Sequence, residues 1–147
     1  MDVKHIWTDA DFDDMGWHDN RLYSLSFPDE NFEFSLDIDY IFKWVQPTDI
    51  SFQFWVSPCT LVFENVIDLK IDIDFSNSIT ISIIGVERSR DRMSPNGKAV
   101  MWKYAIETDK GILTFLSTGF RQYVRDNPRL IDSQDLGRAE QYKKRDD

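Results

Sequence analysis

The sequence predicts an all-β domain, a single antiparallel sandwich or barrel of about seven or eight strands with a polar C-terminal tail. Three observations carry that prediction. Apolar and polar residues alternate with a period of two through most of the chain. Turn-forming clusters punctuate the alternation at short intervals, which favours antiparallel neighbours because a parallel crossover needs a dozen or more residues. The third is the supply of large side chains, eleven Phe, five Tyr and five Trp in 147 residues, enough to fill a core without a disulfide or metal staple.

Residues 1–16 read as an acidic N-terminal arm, residues 17–128 as the β domain and residues 129–147 as the polar tail. The first long strand is "FEFSLDIDYIFKW", where Phe32, Phe34, Leu36, Ile38, Tyr40, Phe42 and Trp44 fall on one face. "SFQFWV" follows after the turn residues "QPTD"; Pro58 then suggests an edge or a bulge, and pairing resumes at "TLVF". "DLKIDIDF", "SITISII", "VMWKYAIE" and "ILTFLS" repeat the rhythm, separated by "SNS", "SPNG" and "TDKG". Trp44 and Trp102 lie in phase with apolar faces and are expected in the core. Trp55 is out of phase with Phe52, Phe54 and Val56, so it is either a contact residue for a partner or covered by a loop. The tail "DSQDLGRAEQYKKRDD" is open to forming a short helix, but it has no apolar stripe and contains Gly137.

The net charge of −9 is unevenly placed. Residues 1–40 hold eleven Asp and Glu against Lys4 and Arg21, and the remaining residues carry fifteen of each sign. A field of this sign repels phosphate backbones, so no nucleic-acid partner is expected; it favours a cation or a basic protein. The basic run "ERSRDRMSPNGK" lacks neighbouring aromatics in sequence and reads as a solvated hairpin loop. The lone Cys59, the absence of a signal-like start and the short apolar runs point to a cytoplasmic protein with no membrane partner.

Several constellations invite a chemical reading. Asp9, Asp11 and Asp13 have the D-x-D-x-D spacing of a calcium loop, but the turn position that needs Gly is Asp14, and the bidentate position is Asn20. Asp9, Asp11, Asp13 and Asp14 are therefore expected to act as an acidic surface. Asp37 with Asp39, and Asp72 with Asp74, form two same-face carboxylate pairs about 6.7 Å apart on their strands. Should the two segments converge, they become candidate ligands for a small molecule or a divalent metal. His18 and Asp19 adjoin each other, but neighbouring side chains on an extended segment point apart; a histidine bonded to backbone at a strand end is expected. No nucleophile elbow, P-loop, dinucleotide fingerprint or H-E-x-x-H motif occurs, and Cys59 is expected to be buried and inert.

The pattern "WHD" at 17–19, "LDIDYIFKW" at 36–44, "SPCTLVFENVIDLKI" at 57–71 and "FLSTGFRQYVRDNP" at 115–128 resembles a group of small, uncharacterised bacterial proteins with no established activity. The resemblance spans roughly residues 17–128. It implies that His18, Asp19, Asp37 and Asp39 belong to one shared feature in a bacterial, non-secreted protein.

The functional expectation is a non-enzymatic, cofactor-free acidic interaction protein, with an immunity or inhibitor protein against a basic bacterial toxin as its concrete form. The alternative is a small β-barrel that binds a ligand or divalent metal through the aspartate pairs. A hydrolase built on paired carboxylates is the remaining option, disfavoured because two neighbours on one strand cannot easily flank a substrate.

Overall fold

A computed structural model describes residues 1–143. The described residues form ten strands: β1 (Ile6–Thr8), β2 (Arg21–Ser26), β3 (Phe34–Thr48), β4 (Ser51–Glu64), β5 (Ile67–Ile73), β6 (Ile81–Met93), β7 (Val100–Thr108), β8 (Gly111–Ser117), β9 (Gly119–Val124) and β10 (Arg129–Ile131). A short helix, α1, spans Arg138–Gln141. Strand order is β1-β9-β4-β3-β2-β6-β7-β8-β5, with β10 paired to β4, and every neighbouring pair is antiparallel. The path is open, ending at β1 and β5.

The two halves of this sheet fold face to face and share one core, so the architecture is a sandwich. Phe34, Leu36 and Ile38 of β3 and Leu61 and Phe63 of β4 meet Ile83, Tyr104, Ile106, Leu113 and Phe115 from the other half. Phe63 is its aromatic centre, with ring centroids 4.9 Å from Tyr104, 4.7 Å from Phe115 and 5.7 Å from Phe120. The halves join where β2 pairs β6 over only two residue pairs, Arg21 with Ser82 and Leu22 with Ile81.

The strands beyond the expected seven or eight are short and lie where alternation is weakest. One is β9, whose inward face includes the fully buried Gln122 between Phe120 and Val124. The others come from the acidic start and the polar tail. The start is not a free arm: β1 pairs β9, a 3-10 turn spans Asp9–Asp14, and Val3, Trp7, Phe12 and Met15 pack against the core. The tail adds β10 to β4 and places the fully buried Gln141 against β3, while residues 144–147 of the expected tail lie outside the described residues.

Pro58 lies in the interior strand β4 and is paired opposite Asp39 of β3. Its other side is a gap between partners: β9 covers Cys59–Glu64, β10 covers Phe54–Val56, and the Arg125 amide donates to the Pro58 carbonyl. The N–H that proline lacks falls in that gap, because a strand residue's N–H and C=O point to the same side.

Trp44 departs from expectation: it is 47% exposed. The cause is a bulge between the pairs Ile41–Val56 and Lys43–Trp55, which inserts Phe42 and reverses the phase of everything after it. Trp44 therefore joins Phe52 and Phe54 on the opposite face, with centroids 6.3 and 5.0 Å away. Trp102 is partly buried against the main core. Among the described residues, no helix is long and apolar enough to cross a membrane.

Candidate functional site

The outer face of β3, opposite the core residues Leu36, Ile38 and Tyr40, carries Asp37 and Asp39. Asp39 is completely buried. Its Oδ2 accepts hydrogen bonds from the Tyr23 hydroxyl at 2.5 Å and the Leu136 amide at 2.7 Å, and its Oδ1 accepts one from Gln141 Nε2 at 2.6 Å. Burial pushes the Asp39 carboxyl above its ordinary range, and the three donors only partly oppose that rise. Tyr23 also accepts the Gly137 amide at 3.1 Å, and burial followed by its bond to Asp39 raises its own pKa strongly.

Asp37, two residues earlier, is half-buried and equally engaged. It accepts from Ser24 Oγ at 3.0 Å, Thr60 Oγ1 at 2.8 Å and the Tyr142 hydroxyl at 3.0 Å, with Arg125 Nη2 at 3.9 Å. Arg125 Nη1 in turn donates to the Gln141 carbonyl at 2.9 Å. The carboxylate pair thus fastens residues 134–142 across the sheet.

Asp19 is tied to the same segment, accepting from Gln134 Nε2 at 3.0 Å, and Arg21 reaches Asp135 at 3.3 Å. Asp19 is not extended; its φ of 65° is left-handed, so its side chain turns back towards the neighbouring histidine. His18 Nε2 lies 3.4 Å from Asp19 Oδ2, and His18 Nδ1 lies 3.0 Å from the Ile84 carbonyl. The two side chains meet where extended geometry predicts that they point apart, while the backbone bond follows expectation. Asp19, Asp37 and Asp39 therefore share one C-terminal cover, and His18 faces away from it towards β6.

The acidic start forms a second feature. Thr8 caps the 3-10 turn through its side chain, and Asp11 Oδ2 accepts the Thr8 amide at 2.9 Å in return. Lys4 Nζ lies 2.7 Å from Asp11 Oδ1, and this contact, with the Thr8 amide, holds the Asp11 carboxyl below the usual range. Asp9 is half-buried beside Gly119, where a Cβ would come within 2.5 Å of its carboxylate. Asp13 and Asp14 are exposed. Asn20, the residue at the final ligand position of a calcium loop, is instead buried and accepts the Ile41 amide.

Phe12 anchors the turn. The Arg88 guanidinium sits 4.2 Å from the Phe12 ring and 4.2 Å from the Trp102 ring, and donates to the Tyr104 hydroxyl. One arginine of the basic run is thus stacked between aromatics that sequence adjacency does not reveal. Beside this anchor a cleft of about 370 Å³ opens between the turn and β6; Phe12, Asp13, Met15, Trp17, His18 and Val86 are among its lining residues. Trp17 is buried there and donates from Nε1 to Gln122 Oε1 at 2.9 Å.

Asp72 and Asp74 lie elsewhere, exposed on and just after β5 at the end of the other half-sheet. The two aspartate pairs do not converge, because β3 is flanked by β2 and β4 and β5 pairs only β8. Among the described residues, no three His, Cys, Asp or Glu side chains are grouped to hold a metal ion. Trp55 is half-buried, paired with Lys43 on one side and Leu130 of β10 on the other. Cys59 is buried in the core, and burial pushes its thiol up to about 12. Tyr23, Gln141 and Arg125 were not legible as site residues. Their significance depends on a segment about a hundred positions from Asp39 in sequence. The chain matches no protein-family model, no curated protein and no solved structure.

Proposed function

We propose that this protein is a non-enzymatic interaction module that presents an acidic surface to a basic partner protein, in the manner of an immunity or inhibitor protein against a basic toxin. The observation that carries this reading is the capped, core-anchored turn that holds Asp13 exposed at a cleft it shares with Phe12, Met15 and Val86, with the exposed Asp14 next to it in the turn. A flexible acidic arm would lose conformational entropy on binding, whereas a turn already fixed by Thr8, Asp11 and Phe12 does not. The cleft suits the aliphatic stem of a partner Lys or Arg against Met15 and Val86, with its charged head at Asp13.

The aspartate pairs give the ligand- or metal-binding alternative no comparable support. Asp37 and Asp39 are committed to internal donors, and Asp72 and Asp74 lie on the other half-sheet.

The test uses a labelled poly-arginine peptide as probe and compares two variants of equal charge. Asp13→Asn/Asp14→Asn is expected to weaken binding by about tenfold at low salt. Asp72→Asn/Asp74→Asn is expected to leave it near the wild-type value. Equal losses in both variants would reduce the binding to bulk charge and sink the proposal, as would binding indifferent to ionic strength. If the neighbouring gene encodes a basic toxin, that protein is the partner to use in the same comparison.

A further inference from the structure

We infer that two copies of this chain pair through the free edge of β5, in one antiparallel register centred on Ile71. Among the described residues β5 ends the strand path and pairs only with β8, so its other edge carries no neighbouring strand. The direction of each backbone group along that edge follows from two contacts. The Asp74 amide donates to the Lys110 carbonyl next to β8, and the Asp72 carbonyl faces Gly111, the first residue of β8. By strand alternation Lys70 and Asp72 face β8, and the N–H and C=O groups of Ile71 and Ile73 face outward without a strand partner.

A second antiparallel copy must match outward groups with outward groups, so only a few registers are open. With Ile71 opposite Ile71, each copy donates to and accepts from the other at that residue. Leu69 then lies opposite Ile73, and Lys70 lies opposite Asp72 twice, once on each side of the two-fold axis. Sliding by two residues one way sets Lys70 against Lys70 and Asp68 against Asp72. Sliding the other way sets Asp72 against Asp72 at the axis and Lys70 against Asp74, which lies beyond the end of β5 and whose carboxylate already accepts the Ser76 amide. Opposite charges directly across a ladder attract and like charges repel, so among the charges borne by β5 itself only the centred register pairs Lys70 with Asp72 and opposes no like charges.

Charges on an edge strand ordinarily discourage pairing. Here their order is self-complementary. At the ends of the register Asp68 approaches the partner's Asp74, but both already have local partners. Asp68 lies near Arg92, and the Asp74 carboxylate accepts the Ser76 amide at 2.8 Å.

Burial points the same way. On the inward side of β5, Leu69 and Ile73 pack against the core, whereas Ile71 between them remains 39% exposed. The strand that would cover it is the one this register supplies. The ladder is short, so the dimer is a weak one that forms at high concentration. The acidic turn lies on the other half-sheet, next to β1 and β9, and stays accessible in the pair.

Sedimentation of the full chain from about 10 µM to about 1 mM tests this. The wild-type mass is expected to rise from 17.4 kDa towards twice that value. Lys70→Glu sets acid against acid at both cross-strand pairs and is expected to weaken dimerisation by about tenfold. Adding Asp72→Lys to it restores the complementary order and is expected to restore the dimer. Circular dichroism and thermal melting check that each variant folds. A wild-type mass constant at the highest concentration overturns the proposal. So does a dimer indifferent to Lys70→Glu, or one that a folded double variant fails to recover. Slowed amide exchange at Ile71 in concentrated wild-type samples places the contact independently.

Discussion

Replacing Asp39 with alanine tests whether the buried carboxylate holds the C-terminal segment in place. The substitution removes the acceptor for the Tyr23 hydroxyl, the Leu136 amide and one of two bonds from Gln141 Nε2, which keeps the Ile38 carbonyl. A buried donor left unpaired costs about 1–3 kcal/mol. Tyr23 and Leu136 are both half-buried, so water can restore part of what each donor loses. Removing a desolvated carboxylate returns part of the loss, because burial already disfavours its charged form. The balance is a destabilisation of about 2–3 kcal/mol. With a urea dependence of about 1–3 kcal/mol per molar, the midpoint falls by about 0.7–3 M. Hydrogen exchange locates the damage: the Leu136 and Gly137 amides are expected to lose protection while the β3–β4 ladder keeps it. An Asp39→Ala protein that unfolds at the wild-type midpoint with Leu136 still protected would refute this account of the network.

Four further outcomes follow from the same structure. The folded-state pKa of Asp39 is raised, so its stabilising contribution is full below the unfolded carboxylate value and is lost as pH rises through the folded value. Thermal melts should therefore show wild type gaining on Asp39→Asn as pH falls from neutral, and a pH-independent gap contradicts that. Asp11, lowered by Lys4, has the opposite sign, its contribution being lost on acidification. The buried Cys59 thiol, raised to about 12, should resist a thiol reagent at pH 8 in the native protein and react fully in denaturant; rapid native labelling counts against its burial. Gly111→Ala should destabilise by more than about 2 kcal/mol in chemical unfolding, because Gly111 has φ 144° and its Cβ would fall 1.9 Å from the Asp72 carbonyl oxygen. A neutral effect there contradicts the close approach of Gly111 to the Asp72 carbonyl.

Most of the sheet was readable in the alternation itself. "LDIDYI" separates Leu36, Ile38 and Tyr40 from Asp37 and Asp39, and the folded chain keeps that division, one set in the core and the other on the outer face. Reading failed where one extra residue changed phase. The bulge at Phe42 leaves no mark in composition, yet it sends Trp44 to the opposite face. It failed again at "GFRQYV", where a core-facing Gln122 hides a strand, its Oε1 held by the Trp17 indole from the start of the chain.

The candidate site divides along the same line. Local chemistry sufficed for rejecting a calcium loop at Asp14 and Asn20, whereas the Thr8–Asp11 cap emerged only from the structure. It could not reach the contact between His18 and Asp19, which needs a left-handed residue, or the stacking of Arg88 between Phe12 and Trp102.

By itself, the sequence determined an antiparallel all-β chain, an uneven negative charge and which face of each regular strand is apolar, because those properties follow from neighbours two positions apart. Only the tertiary structure decided that the open sheet folds over into a sandwich, that Asp39 is a buried latch and not an open ligand, and that β5 is left with a free edge. Each of those depends on which distant segment covers a given surface. The polar residues 134–142 cover Asp39 because their hydrogen-bond donors match its acceptors, a complementarity that no hydrophobic period announces.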